Sequence, residues 1–99
     1  MNISIQYVKM PTSETMSNFT ETKLSKLAKH YPWLINATVF FKIDPDPAGI
    51  DKVCEIELSA PGPRIYASSK EKNFELAVKN TIGDLDRQLK KRKAQFTQH

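Results

Sequence analysis

Across residues 73–93 one amphipathic pattern runs without interruption: Phe74, Val78, Ile82, Leu85 and Leu89 fall on a single side when placed at about 100° per residue. A stripe of that length is a helix of four turns, and its apolar side has to be covered by a second layer of structure. Ser68 with Glu71 has the form of a capping box for this helix, whereas Asn73 as cap leaves residues 69–72 as a turn. The later start is the favoured reading.

The covering layer is found upstream. In residues 2–8, Ile3, Ile5 and Tyr7 alternate with Ser4 and Gln6, the period of a half-buried strand. Pro11 ends the run, Thr12 or Ser13 can cap a helix, and Glu14 sits in the first turn, where the helix dipole favours a negative charge. This first helix should continue to about Tyr31, before Pro32, with Met16, Phe19, Leu24, Leu27 and Tyr31 on one side. Residues 37–43 (ATVFFKI) carry β-branched and aromatic side chains on both faces and read as a well-buried strand. The turn formers of residues 44–51 (DPDPAGID) make an exposed hairpin loop. Residues 52–59 then alternate Cys54, Ile56 and Leu58 with Glu55 and Glu57. After the PGP turn at 61–63, residues 64–68 form a short last strand, Ile65 and Ala67 on one face and Tyr66 on the other.

The order β-α-β-β-β-α implies an α+β fold: a four-stranded sheet with both helices on one face and the other face open to water. Ninety-nine residues, 39% of them apolar, suffice for one core, so residues 1–99 are read as a single domain.

Several functions are excluded by what the chain lacks. No stretch approaches the roughly 20 apolar residues of a membrane span, and the N-terminus has no secretory-signal layout, so a cytoplasmic location without membrane contact is expected. Cys54, the single cysteine, has no disulfide partner, and with His30 and His99 as the two histidines there is no recognisable zinc set. Asp44, Asp46 and Asp51 do not follow calcium-loop spacing and read as loop solvation. There is no glycine-rich phosphate loop and no nucleophile motif, so no enzyme, cofactor or small-molecule substrate is expected. Cys54 reads as a small hydrophobe and Trp33 as a lid on the core.

Fifteen Lys and Arg against eleven Asp and Glu give a formal charge of +4, so the meaning of the excess depends on placement. Lys72, Lys79, Arg87, Lys90 and Lys91 project opposite the apolar stripe of the last helix, and residues 87–93 hold five cations (Arg87, Lys90, Lys91, Arg92, Lys93) and no anion. Asp84 and Asp86 stop this ridge on its N-terminal side. On the first helix Lys23, Lys26 and His30 lie along one edge of the stripe, with Lys29 further round. Helices side by side would bound one basic groove, suited to the phosphates of structured RNA recognised by shape. Two other readings stay open at this point. Cations near a helix C-terminus also complement its dipole and solvate an exposed face, and Lys23 can snorkel over the core edge. Tyr66, pointing away from Ile65 and Ala67, is a candidate for stacking on an exposed base.

Three segments in order carry a family likeness. IGDLDRQLKKRK (82–93) resembles the D-K-L-x-R-Q-L-x-K-x-K helix of the ribosome hibernation-promoting factors, also called ribosome-associated inhibitors or sigma-54 modulation proteins. FTETKLSKL (19–27) is similar to that family's first helix with its lysine pair, and IYASSKEKNFELAV (65–78) to its strand-to-helix junction. The resemblance implies a fold like that of double-stranded-RNA-binding domains. It also implies binding to the small ribosomal subunit, through phosphates of 16S rRNA, in the channel used by messenger and transfer RNA. Translation would be blocked and idle ribosomes preserved, under stress or in stationary phase. Lys23, Lys26, Arg87, Lys91 and Lys93 match the family's basic positions, while Lys90 and Arg92 fill variable ones. Asp84 stands where the pattern usually has lysine, next to the mid-helix Gly83; an acid at the edge of a phosphate site should weaken it. The chain resembles a short form, which would need a separate dimerisation factor to pair ribosomes. The competing expectation is a regulatory module that takes a non-ribosomal protein partner on the open sheet face or its edge strand.

Overall fold

A computed structural model describes residues 1–97, so His99 lies outside the described residues. The elements are β1 (Asn2–Tyr7), α1 (Glu14–His30), β2 (Asn36–Ile43), β3 (Lys52–Ser59), β4 (Ile65–Glu71) and α2 (Phe74–Thr97). The strands lie in the order β1-β2-β3-β4; β1 runs parallel to β2, and the remaining neighbours are antiparallel. The parallel pair follows from α1 crossing between its two strands, while the short connections after β2 and β3 reverse the chain. Register brings Phe41 beside Cys54 and Ile56 beside Ala67, so core side chains line up across the sheet. Against them pack Leu24 and Leu27 of α1 and Val78, Leu85 and Leu89 of α2, all buried.

The helix ends are set as the sequence suggests. The Ser13 hydroxyl accepts from the Met16 N–H at 3.2 Å, and Asn73 Oδ1 accepts from the Leu76 N–H at 2.8 Å. Each satisfies a donor that the first turn leaves unpaired. The Tyr7 hydroxyl donates to the Ser13 carbonyl at 2.8 Å, which ties the end of β1 to the start of α1. Burial pushes the Cys54 thiol up to about 12, so it stays neutral within the core. In the loop after β2, Asp44 and Asp46 are held by Lys70 at 3.1 and 3.8 Å, and Asp51 by Lys52 at 2.6 Å.

Three expectations need correction. The last strand runs to Glu71 rather than ending at residue 68, because residues 69–71 continue the ladder opposite Cys54, Val53 and Lys52. Lys72 therefore precedes α2 and takes no part in its ridge. β2 is buried on one face only: Ala37, Val39 and Phe41 face the helices, while Phe40 is half-buried on the open face and Ile43 is 48% exposed at the strand end.

Candidate nucleic-acid interface

α1 and α2 lie side by side over the sheet. Lys23, Lys26, Leu27 and His30 of α1 face Lys79, Ile82, Gly83 and Asp86 of α2 across a groove of about 310 Å³. Helical spacing explains the line-up, since residues three, four and seven apart share a flank. The groove opens into a second hollow lined by His30, Tyr31, Asp86, Lys90, Lys93 and Ala94, which shares His30 and Asp86 with the first. Among the described residues no atom outside the local helix lies within 4 Å of where a Gly83 Cβ would stand, so this glycine leaves space rather than permitting a close contact.

Asp86 is the acid within this basic groove. Its Oδ1 accepts from the Tyr31 hydroxyl at 2.7 Å, and its Oδ2 lies 3.5 Å from Lys90 Nζ. The Tyr31 hydrogen bond, aided by the nearby Lys90 and His30, holds the carboxyl below the usual aspartate range against its partial burial. Burial, the hydrogen bond and the Asp86 charge push the Tyr31 hydroxyl up to about 12. A neutral donor thus meets an ionised acceptor over the ordinary pH range, and the bond ties the end of α1 to the middle of α2. Asp84 lies on the opposite flank of α2: its near neighbours are Gln88 at 3.5 Å and Arg87 at 3.8 Å, and Gln88 donates to the Tyr66 carbonyl of β4 at 2.9 Å. The departure from the family pattern therefore sits away from the groove.

The remaining basic residues are distributed around this centre. Lys23 lines the groove while its ammonium lies 5.6 Å from the Phe19 ring centroid, so it covers apolar surface and presents charge at once. Lys29 lies on the outer side of α1, beside Lys26 and Glu21. Arg87 and Lys91 are exposed on the outward side of α2. Arg92 is used differently: its guanidinium donates to the carbonyls of Pro61 at 2.8 Å and Pro63 at 2.9 Å. Between those prolines Gly62 adopts φ +97, and a Cβ there would stand 3.0 Å from the guanidinium, so glycine answers both the turn and the close approach. Tyr66, 51% exposed, lies on the open face of the sheet, across from the helices.

The family described as "Sigma 54 modulation protein / S30EA ribosomal protein" matches residues 3–97. The chain belongs to this family. The S30EA family is one of ribosome-associated proteins and not of enzymes. A ribosome hibernation promoting factor of Pseudomonas putida is 27% identical over 93 residues, which make up 94% of this S30EA chain and 85% of that protein. Among solved structures, a ribosomal subunit interface protein from Coxiella burnetii superposes with a TM-score of 0.85 at 23% identity, covering 95% of this chain and 99% of that one. The N-terminal domain of Thermus thermophilus Protein Y gives 0.78 at 20% identity, with 92% and 98% covered. These two likenesses show the α+β fold.

Two features of this S30EA chain escaped the sequence reading. One is the Tyr31–Asp86 bond. The other is Phe96, which packs edge-on against Trp33 with ring centroids 5.0 Å apart. Phe96 stands seven residues beyond Leu89, so extending the stripe by two turns would have exposed it.

Proposed function

We propose that this chain is a cytoplasmic ribosome hibernation factor. It binds the small (30S) ribosomal subunit near the decoding region through phosphates of 16S rRNA. Its presence there blocks messenger and transfer RNA and preserves idle ribosomes under stress or in stationary phase. The observation that carries the reading is the interhelical groove, in which Lys23, Lys26 and Lys79 converge and which Lys90 and Lys93 extend. Helix-dipole complementarity accounts for cations in the last turn of a helix, but Lys23 and Lys79 lie well inside theirs. Ammonium groups on flexible stems meet phosphates as point charges, which suits recognition of folded RNA by shape.

Lys29, Arg87 and Lys91 widen the positive surface on the outer flanks, and Arg92 adds charge while bracing the turn. Tyr66 would stack only on a base reaching round to the open sheet face. Because both helices and the sheet share one core, residues 1–99 are proposed to act as a single ribosome-binding domain. Inhibition by occupancy needs no catalytic group. The likeness to the Pseudomonas putida protein along 94% of the chain supports the same role.

The double variant Lys23→Glu/Lys26→Glu tests this. Both side chains leave the core intact, so the variant should fold, yet bind small subunits about tenfold or more weakly at low salt and with a shallower salt dependence. Undiminished binding would refute the groove. The open sheet face favours a second reading, a protein partner, because its charges are already paired: Lys42 with Glu55 at 2.9 Å, and Arg64 with Glu57. A partner captured from ribosome-free extract and lost on Tyr66→Ala would support it.

A further inference from the structure

We infer that Trp33 and Phe96 form a stacking site for an unpaired nucleobase of the RNA whose backbone lies along the basic groove. This rests on the RNA-binding reading above and adds to it a site of a different chemistry.

Four rings neighbour one another in turn. His30 and Tyr31 are 6.4 Å apart, Tyr31 and Trp33 5.7 Å, and Trp33 and Phe96 5.0 Å. The series is fixed to the groove at Tyr31, whose ring is buried and whose hydroxyl donates to Asp86. Beside it, Lys90 and Lys93 line the same hollow as His30 and Tyr31. Cations and aromatic rings are thus interleaved where the groove ends.

The Trp33–Phe96 contact is more than a lid requires. Trp33 already packs on the core through Tyr31, edge to face at 69°. Phe96 lies beyond Leu89, the last buried residue of the α2 stripe, and remains 40% exposed. The two rings meet at 78°, so only one ring face is used by the contact. A base entering the angle between them would stack on one ring and meet the edge of the other. The neighbouring Lys90 and Lys93 ammonium groups would take its flanking phosphates, which fits a nucleic-acid strand better than an apolar peptide. Such stacking tolerates any base but requires one that is unpaired, and so distinguishes single-stranded or splayed-out RNA from continuous duplex.

Trp33 is the sole tryptophan, so its emission reports on the site directly. Protein-free 16S rRNA is titrated into the full chain while Trp33 fluorescence is followed, and binding is measured in parallel by pelleting small subunits. The expected result is quenching of Trp33 on binding. Phe96→Leu, which keeps apolar bulk without a ring, should bind about tenfold more weakly with an unchanged salt slope. Phe96→Tyr should restore binding. Full binding with unaltered Trp33 emission, or Phe96→Leu binding as tightly as the unsubstituted chain, would overturn the stacking site and leave the groove standing. Failure of the unsubstituted chain to bind RNA or small subunits would overturn both.

Discussion

The Asp86 carboxylate accepts from Tyr31 across the helix pair and also places a negative charge among Lys23, Lys26 and Lys79. Its two roles oppose each other, and Asp86→Asn separates them. Stability should fall by about 1 kcal/mol, the value of a charge-assisted hydrogen bond discounted for partial exposure, while small-subunit binding tightens. The pH dependence has a definite sign. Asp86 is held below its unfolded value, so its contribution is complete above the ordinary aspartate range and is lost as pH falls through the lowered value. Tyr31 is raised to about 12, so its contribution is complete below the usual tyrosine value and is lost as pH rises through 12. Urea unfolding of the two proteins should differ by a constant amount between about pH 6 and 9 and begin to converge only as pH falls below the ordinary aspartate value of 3.8; a difference that persists undiminished at the lowest pH at which both proteins fold would refute the assignment. Gly83→Ala belongs to the same scale. Nothing opposes the added methyl, so replacing a helix-interior glycine should stabilise by about 0.5–1 kcal/mol in the same unfolding experiment.

Among the elements, α2 depends on a contact made near its far end. Arg92 forks onto Pro61 and Pro63, joining the last turns of the helix to the β3–β4 turn. Arg92→Lys keeps the charge and loses the fork. Amide hydrogen exchange at residues 62 and 64–66 should therefore quicken, with the salt slope of RNA binding unchanged. A slope reduced by about one in the charge-removing Arg92→Gln, with exchange unaffected, would make Arg92 a phosphate ligand instead. The elements that were legible in the sequence are those with a strict period and a marked end: the alternation in β1 and β3, Ser13 and Asn73 as caps, and Pro32 after α1. The end of β4 was not legible, because residues 69–71 (SKE) are polar throughout and show no apolar alternation; ladder bonds and the Lys70 ion pairs join them to the sheet. The apolar character of both faces of β2 hid the fact that helices cover only one. In the groove, Lys23 and Lys26 could be placed from helical spacing, whereas Lys79, read as lying opposite the apolar stripe with Arg87 and Lys91, lines the groove beside Ile82. The Tyr31–Asp86 bond could not, since it links residues 55 apart in sequence and depends on how the helices dock.

As a whole, the molecule measures 49 × 25 × 19 Å, and α2, its longest element, carries Phe96 near its end against Trp33 of the α1–β2 connection. A net charge of only +4 becomes a directed one: the open sheet face is ion-paired, whereas the groove and outer α2 hold the excess. Such an arrangement favours oriented approach to a polyanion and makes affinity depend on counterion release. Sedimentation of the chain with separated small and large ribosomal subunits, at about 50 and 200 mM salt, tests this most directly. The account predicts co-sedimentation with the small subunit alone, strong at the lower salt and largely lost at the higher. Failure to bind either subunit at low salt, or binding that ignores salt, would contradict it.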